Sequence, residues 1–115
     1  MSRIKEIKYI KTLTSEDLLD INLIIKSNQI QRFAINYRAN IKKEWYEIYR
    51  VDNYHGYLHE IKFWRSSKQI MIKNNRPLKT IFNHYIDEII NNFQNYREYF
   101  EEALEKKRIK RKWEK

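Results

Sequence analysis

The sequence predicts an α+β fold: a small antiparallel β-meander of four to five strands packed with a long C-terminal α-helix. Three observations predict it. Residues 29–64 carry short stretches with an apolar period near two, separated by polar turns. Residues 77–104 instead repeat apolar side chains at three- and four-residue steps after the only proline, Pro77. The joints between the strand-like stretches are short, and short joints connect antiparallel neighbours.

Each element follows in order. Ile4 to Thr12 reads as an edge strand whose lysines discourage edge-to-edge association. Thr14-Ser15-Glu16-Asp17 reads as a helix start, a hydroxyl cap followed by acids near the positive end of the dipole. A brief helical turn or short helix near 15–19 is therefore expected, then a strand through Ile21-Asn22-Leu23-Ile24-Ile25. That strand ends at Ser27-Asn28 and pairs with 29–41. Phe33, Ile35, Tyr37, Ala39 and Ile41 share one face of the next strand, and Arg32, Ala34, Asn36, Arg38 and Asn40 the other. Glu44 to Asp52 follows after a short polar turn and is rich in aromatic and β-branched residues, as a further strand would be. Tyr57 to Trp64 follows, with Tyr57, His59, Ile61 and Phe63 on one face. Gln69 to Ile72 pairs back across Ser66-Ser67-Lys68.

A helix over 77–110 would be on the order of 50 Å long at 1.5 Å per residue. A small sheet is nearer about 20 Å across. The helix is therefore expected to overhang its sheet, bend or meet a second subunit. Its distal apolar residues, Tyr96, Tyr99, Phe100, Ala103 and Leu104, form a candidate homodimer or partner surface.

Composition bounds the function. The 115 residues suit one domain, with 1–76 mainly β, 77–110 helical and 106–115 a basic tail. The chain has no cysteine, which excludes disulfides, thiolate metal sites and cysteine nucleophiles. No apolar run approaches the roughly 20 residues of a membrane span, and no signal-peptide core follows Met1. A cytoplasmic protein without membrane contact is expected. Of the net charge of +9, the stretch Lys106 to Lys115 holds +6, from seven bases and Glu114. Lys106, Lys107, Arg108, Lys110, Arg111 and Lys112 are accordingly candidate contacts to nucleic-acid phosphates, by a salt-sensitive and sequence-independent attraction.

The chemistry concentrates in Arg50-Val51-Asp52-Asn53-Tyr54-His55-Gly56-Tyr57-Leu58-His59. This stretch holds the only glycine and two of the three histidines. Histidine is the side chain whose proton exchanges nearest neutral pH, so two of them beside an arginine suit acid–base work on a phosphodiester. His55 and His59 are the candidate acid and base, Arg50 the phosphate contact, and Asp52 the group that orients a histidine. Tyr54 and Tyr57 are candidates for stacking on a base. In a continuous strand the two histidines would stand roughly 13 Å apart. Gly56 permits a turn or bulge that would bring them closer. Other readings use the same residues: metal binding by Asp52, His55 and His59, nucleic-acid binding without chemistry, or a turn closed by Asp52 and Asn53 with His59 in the core. No cofactor is expected.

The run from Phe33-Ala34-Ile35 through Glu44-Trp45-Tyr46 to His59 resembles a family of small uncharacterised prokaryotic proteins with an Arg-Tyr-Asp-Asn-Ala-His-Gly signature and a further histidine. It is also similar to the TumE-like putative toxins of two-gene toxin–antitoxin systems. Arg50, Asp52, Asn53, His55, Gly56 and His59 match; Val51 and Tyr54 stand where the pattern has Tyr and Ala. Glu60 to Trp64 lacks the further histidines usual in TumE-like proteins. The resemblance implies antiparallel strands plus helix, and a toxin acting on RNA and neutralised by a cognate antitoxin.

Overall fold

The structure is a computed structural model that describes residues 3–106. One six-stranded antiparallel sheet runs in simple sequence order, β1 (Ile4–Thr14), β2 (Asp17–Lys26), β3 (Gln29–Ile41), β4 (Glu44–Asp52), β5 (His59–Lys62) and β6 (Ile70–Met71). A single helix, α1 (Leu78–Glu105), follows with Pro77 at its N-cap. The α+β architecture is the one the sequence predicts.

Two details differ. The expected helical turn near 15–19 does not form: Ser15 and Glu16 are a tight turn and β2 begins at Asp17. The Thr14 hydroxyl donates to Asp17 Oδ2 (2.5 Å) and accepts from the Glu16 amide (3.0 Å). The same residue types that cap helices close hairpins, because both need side-chain oxygens for unpaired amides. The sheet also has six strands rather than four to five. Both outer strands lie where the sequence places them: β1, exposed along almost its whole length, covers the expected edge strand at 4–12, and β6, two residues long, falls within the expected 69–72.

Two hairpin turns put both central residues at positive φ, Ser27 and Asn28 (52° and 63°) and Lys42 and Lys43 (53° and 70°). That is the backbone hand that matches strand twist in two-residue loops.

The core lies between one sheet face and α1, which packs on β3 and β4. Phe82 meets Phe33 edge-on at 5.6 Å, Phe93 meets Tyr37 at 6.0 Å, and Phe100 tilts over Tyr46 at 5.3 Å. At 1.5 Å per residue the 28-residue helix is about 42 Å long. The 13 residues of β3 span about the same length at 3.3 Å each. The sheet is thus longer than the usual small sheet, and the distal half of the helix lies over it. Phe100 and Ala103 are buried there, leaving Tyr99 as the half-exposed residue of the expected partner surface. Arg97 fastens this half: Nη1 donates to Asp17 Oδ1 (3.2 Å) and Nη2 to the Asn40 carbonyl (2.8 Å). Tyr37 donates to the same Asp17 oxygen at 2.6 Å.

Candidate functional site

Strand alternation sets the position of the site. Phe33, Ile35 and Tyr37 point toward α1, so their neighbours Ala34 and Asn36 point to the opposite face. The register pairs Asp52 with Ala34 and Arg50 with Asn36, and on the other side pairs Asp52 with His59. Arg50, Asp52 and His59 therefore gather on the face away from the helix.

The chain between β4 and β5 turns back over that face. Asn53 O accepts from the Gly56 amide at 3.1 Å, closing a four-residue turn with asparagine first and glycine last, both favoured there. Gly56 sits at φ 92°, with nothing within 4 Å of where a Cβ would be. Backbone conformation rather than space therefore calls for glycine here. Asn53 anchors the departure. Its amide donates to the Phe33 carbonyl (3.1 Å), and its Oδ1 accepts from the Phe33 amide (2.8 Å). Its Nδ2 donates to the Gln31 carbonyl (3.3 Å), and its own carbonyl accepts from Arg32 Nη1 (3.0 Å).

This bend brings the two histidines together. The His55 and His59 rings stack with centroids 5.7 Å apart and planes 28° from parallel. The Tyr57 ring lies 5.2 Å from His59 on a tilted approach. His59 is only 1% exposed, whereas His55 and Tyr57 face solvent. Both nitrogens of His59 face acceptors, Nε2 at 3.4 Å from Asp52 Oδ2 and Nδ1 at 3.4 Å from the Tyr57 carbonyl. A neutral ring has one N–H and serves one of these; an imidazolium serves both.

Asp52, also 1% exposed, is the hub. Its Oδ2 accepts from Arg50 Nε at 2.7 Å and lies against His59; its Oδ1 accepts from the Tyr54 amide at 3.0 Å. Arg50 is thus fixed through Nε, and its terminal nitrogens have no partner among the described residues. A guanidinium held this way offers a two-pronged donor to a phosphate or carboxylate. The Tyr54 hydroxyl and Asn36 Oδ1 are buried without a hydrogen-bond partner among the described residues. Burial pushes the Tyr54 phenol above its ordinary value, with Glu6 and Asp52 adding to the rise and Arg50 opposing it. The Tyr57 hydroxyl bonds Gln69 Oε1 at 3.1 Å.

Among the described residues no group of three or more histidine and carboxylate side chains is arranged to hold a metal ion. A hollow of about 480 Å³ beside the turn is lined by Asn53, Gly56 and Tyr57, by Lys73 and Arg76, and by Leu78 and Ile81 of α1, and so opens toward the helix.

Of the residues singled out in sequence, Arg50, Asp52, His55 and His59 come together, with Tyr54 and Tyr57 at their margin. Lys106 is exposed at the end of α1, where Nζ lies 3.2 Å from Glu102. Lys107, Arg108, Lys110, Arg111 and Lys112 lie outside the described residues. Sequence reasoning missed Arg32, Lys73 and Arg76. Arg32 is on the polar face of β3 two residues from Ala34, a signal that was present; Lys73 and Arg76 are brought near only by the path of the chain after β6.

Residues 2–106 match the family model described as Domain of unknown function (DUF7718). No curated protein and no solved structure matches the chain.

Proposed function

For this chain, which belongs to the DUF7718 domain family, we propose a toxin-like protein that acts on RNA as a metal-independent ribonuclease. The observation that carries the reading is the stacked His55–His59 pair at 5.7 Å, backed by an Asp52 that Arg50 also holds. One imidazole takes the 2′-hydroxyl proton as the 2′-oxygen bonds to phosphorus. The P–O5′ bond breaks, and the 5′-oxygen leaves with a proton from the other ring, giving a cyclic phosphate and a 5′-hydroxyl. Arg50 neutralises charge gathering on the non-bridging oxygens through its terminal nitrogens. His55, exposed, meets the RNA first. Its side chain must swing aside for His59 to reach the same phosphate, an ordinary fast motion for a surface residue. A cognate antitoxin would be the protein partner.

The test is cleavage of a single-stranded RNA by the whole chain in the presence of EDTA. His55→Ala and Arg50→Ala are each expected to lower the rate on the order of 10²-fold. No cleavage by the parent, or cleavage unchanged from the parent's in both His55→Ala and His59→Ala, would remove the ribonuclease reading. A second reading, RNA binding without chemistry, is favoured by the 1% exposure of His59. It predicts a parent that retains RNA, with a steep salt dependence, and leaves it intact.

A further inference from the structure

β1 is the open edge of the sheet. It pairs with β2 on one side only, leaving the backbone groups of alternate residues along its 11-residue length facing outward. The helix lies over β3 and β4 and does not shield it. Three of the large exposed apolar residues are here: Ile4 at 73%, Tyr9 at 43% and Ile10 at 57%. A long edge with apolar residues and unpaired backbone is a template for another strand, and the lysines that discourage such association do so only in registers that set them against like charge.

We propose that β1 recognises a second copy of this chain, the two strands pairing antiparallel about a two-fold axis at Ile7. The charge pattern selects both the occupant and the register. About Ile7, Glu6 faces Lys8 of the second copy and Lys8 faces its Glu6, so two opposite-charge pairs form. Ile4 faces Ile10 in both directions, Lys5 faces Tyr9, and Ile7 meets itself. Only Arg3 and Lys11, at the exposed ends, meet with like sign. Of the registers that keep side chains on matching faces, no other sets Glu6 opposite a base, and those centred nearby carry further mismatches. Centred on Glu6, the strand opposes Glu6 to itself. Centred on Lys8, it opposes Lys8 to itself and Lys5 to Lys11. Centred on Tyr9, it sets Ile7 against Lys11 and Ile10 against Lys8. Opposite charges directly across an antiparallel pair stabilise it and like charges destabilise it. Glu6 and Lys8 already share a face, their charged atoms 3.9 Å apart and both well exposed. Pairing therefore converts a weak surface ion pair into a four-charge cluster.

The result is one continuous sheet from two six-stranded ones. Lys8 lies in register with Asn22, which lies opposite Ala34, which lies opposite Asp52. The face carrying Glu6 and Lys8 is therefore the face carrying Arg50, Asp52 and His59, and the two sites share one surface.

Sedimentation equilibrium of the whole chain tests this. The parent is expected to be a dimer. Glu6→Lys and Lys8→Glu are each expected to weaken association about tenfold or more, since each replaces two attractive pairs by two repulsive ones. The double exchange, Glu6→Lys with Lys8→Glu, restores opposite charges and is expected to restore the dimer. Ile10→Lys, outside the charge pair, is expected to weaken association as well. All three sites are exposed, so circular dichroism should show the fold retained. A parent that stays monomeric, a dimer indifferent to both single exchanges, or a double exchange that fails to recover association would overturn the proposal.

Discussion

Asp52 is a carboxylate with almost no contact with water, and its three neighbours define what it does. The Arg50 guanidinium, the Tyr54 amide and the His59 ring all converge on its two oxygens. Removing one member of such a set leaves the others unsatisfied, which costs more than the bond itself contributed. Asp52→Asn keeps the shape, loses the charge and places an NH2 where one donor already points. It is expected to destabilise the protein by about 2–3 kcal/mol, less than a fully buried pair because Arg50 is one-third exposed. Urea denaturation measures this; an unchanged midpoint would assign Asp52 no structural role. At this scale the sequence was informative about residue types and silent about distance. Strand spacing separates His55 from His59 by about 13 Å, and the 5.7 Å observed comes from the turn at Asn53 to Gly56. The glycine marked the place of the bend, but its angle depends on Asn53 bonding Phe33, twenty residues earlier, a contact no local pattern encodes.

Among the elements, β3 and α1 were the most legible, because a buried face repeats at period two in one and near 3.6 in the other. The start of β2 was misread as helical, since Thr14 and Asp17 use the same oxygens in a hairpin turn that they would use in a cap. The turn between β3 and β4 carries a testable strain. Lys42 and Lys43 both occupy positive φ, a conformation that costs about 1–2 kcal/mol for residues with a Cβ. Lys43→Gly removes that cost at one position while freeing the unfolded chain, worth about 0.4–1 kcal/mol in the other direction. The net expectation is a gain of about 0.5–1 kcal/mol, or about 2–4 °C in melting temperature. A lower melting temperature would mean that the Lys43 side chain contributes more than its backbone costs.

Across the whole molecule, α1 is joined to the sheet by an aromatic seam. Burial, then hydrogen bonds to Asp17 and Glu60, raises the Tyr37 and Tyr49 phenols far above their ordinary value of 10.0. Burial pushes Tyr96 up to about 12. The folded state holds these protons where the unfolded chain releases them. The contribution of these phenols to stability is therefore level below pH 10 and declines as pH rises beyond it. Phenolate absorbance followed against pH should show Tyr37 and Tyr49 ionising only together with loss of the fold; earlier ionisation of both would contradict their burial. Nothing in sequence signalled this seam beyond the aromatic content, because its members come from β3, β4, the segment after β5 and the distal helix. The side-chain amide of Asn53 stands in for a peptide group and completes the β3 ladder after β4 has left it. The sheet is thereby closed before the loop that carries His55 begins. Positions 55 and 57, both exposed, are consequently free to diverge while the scaffold beneath is inherited unchanged.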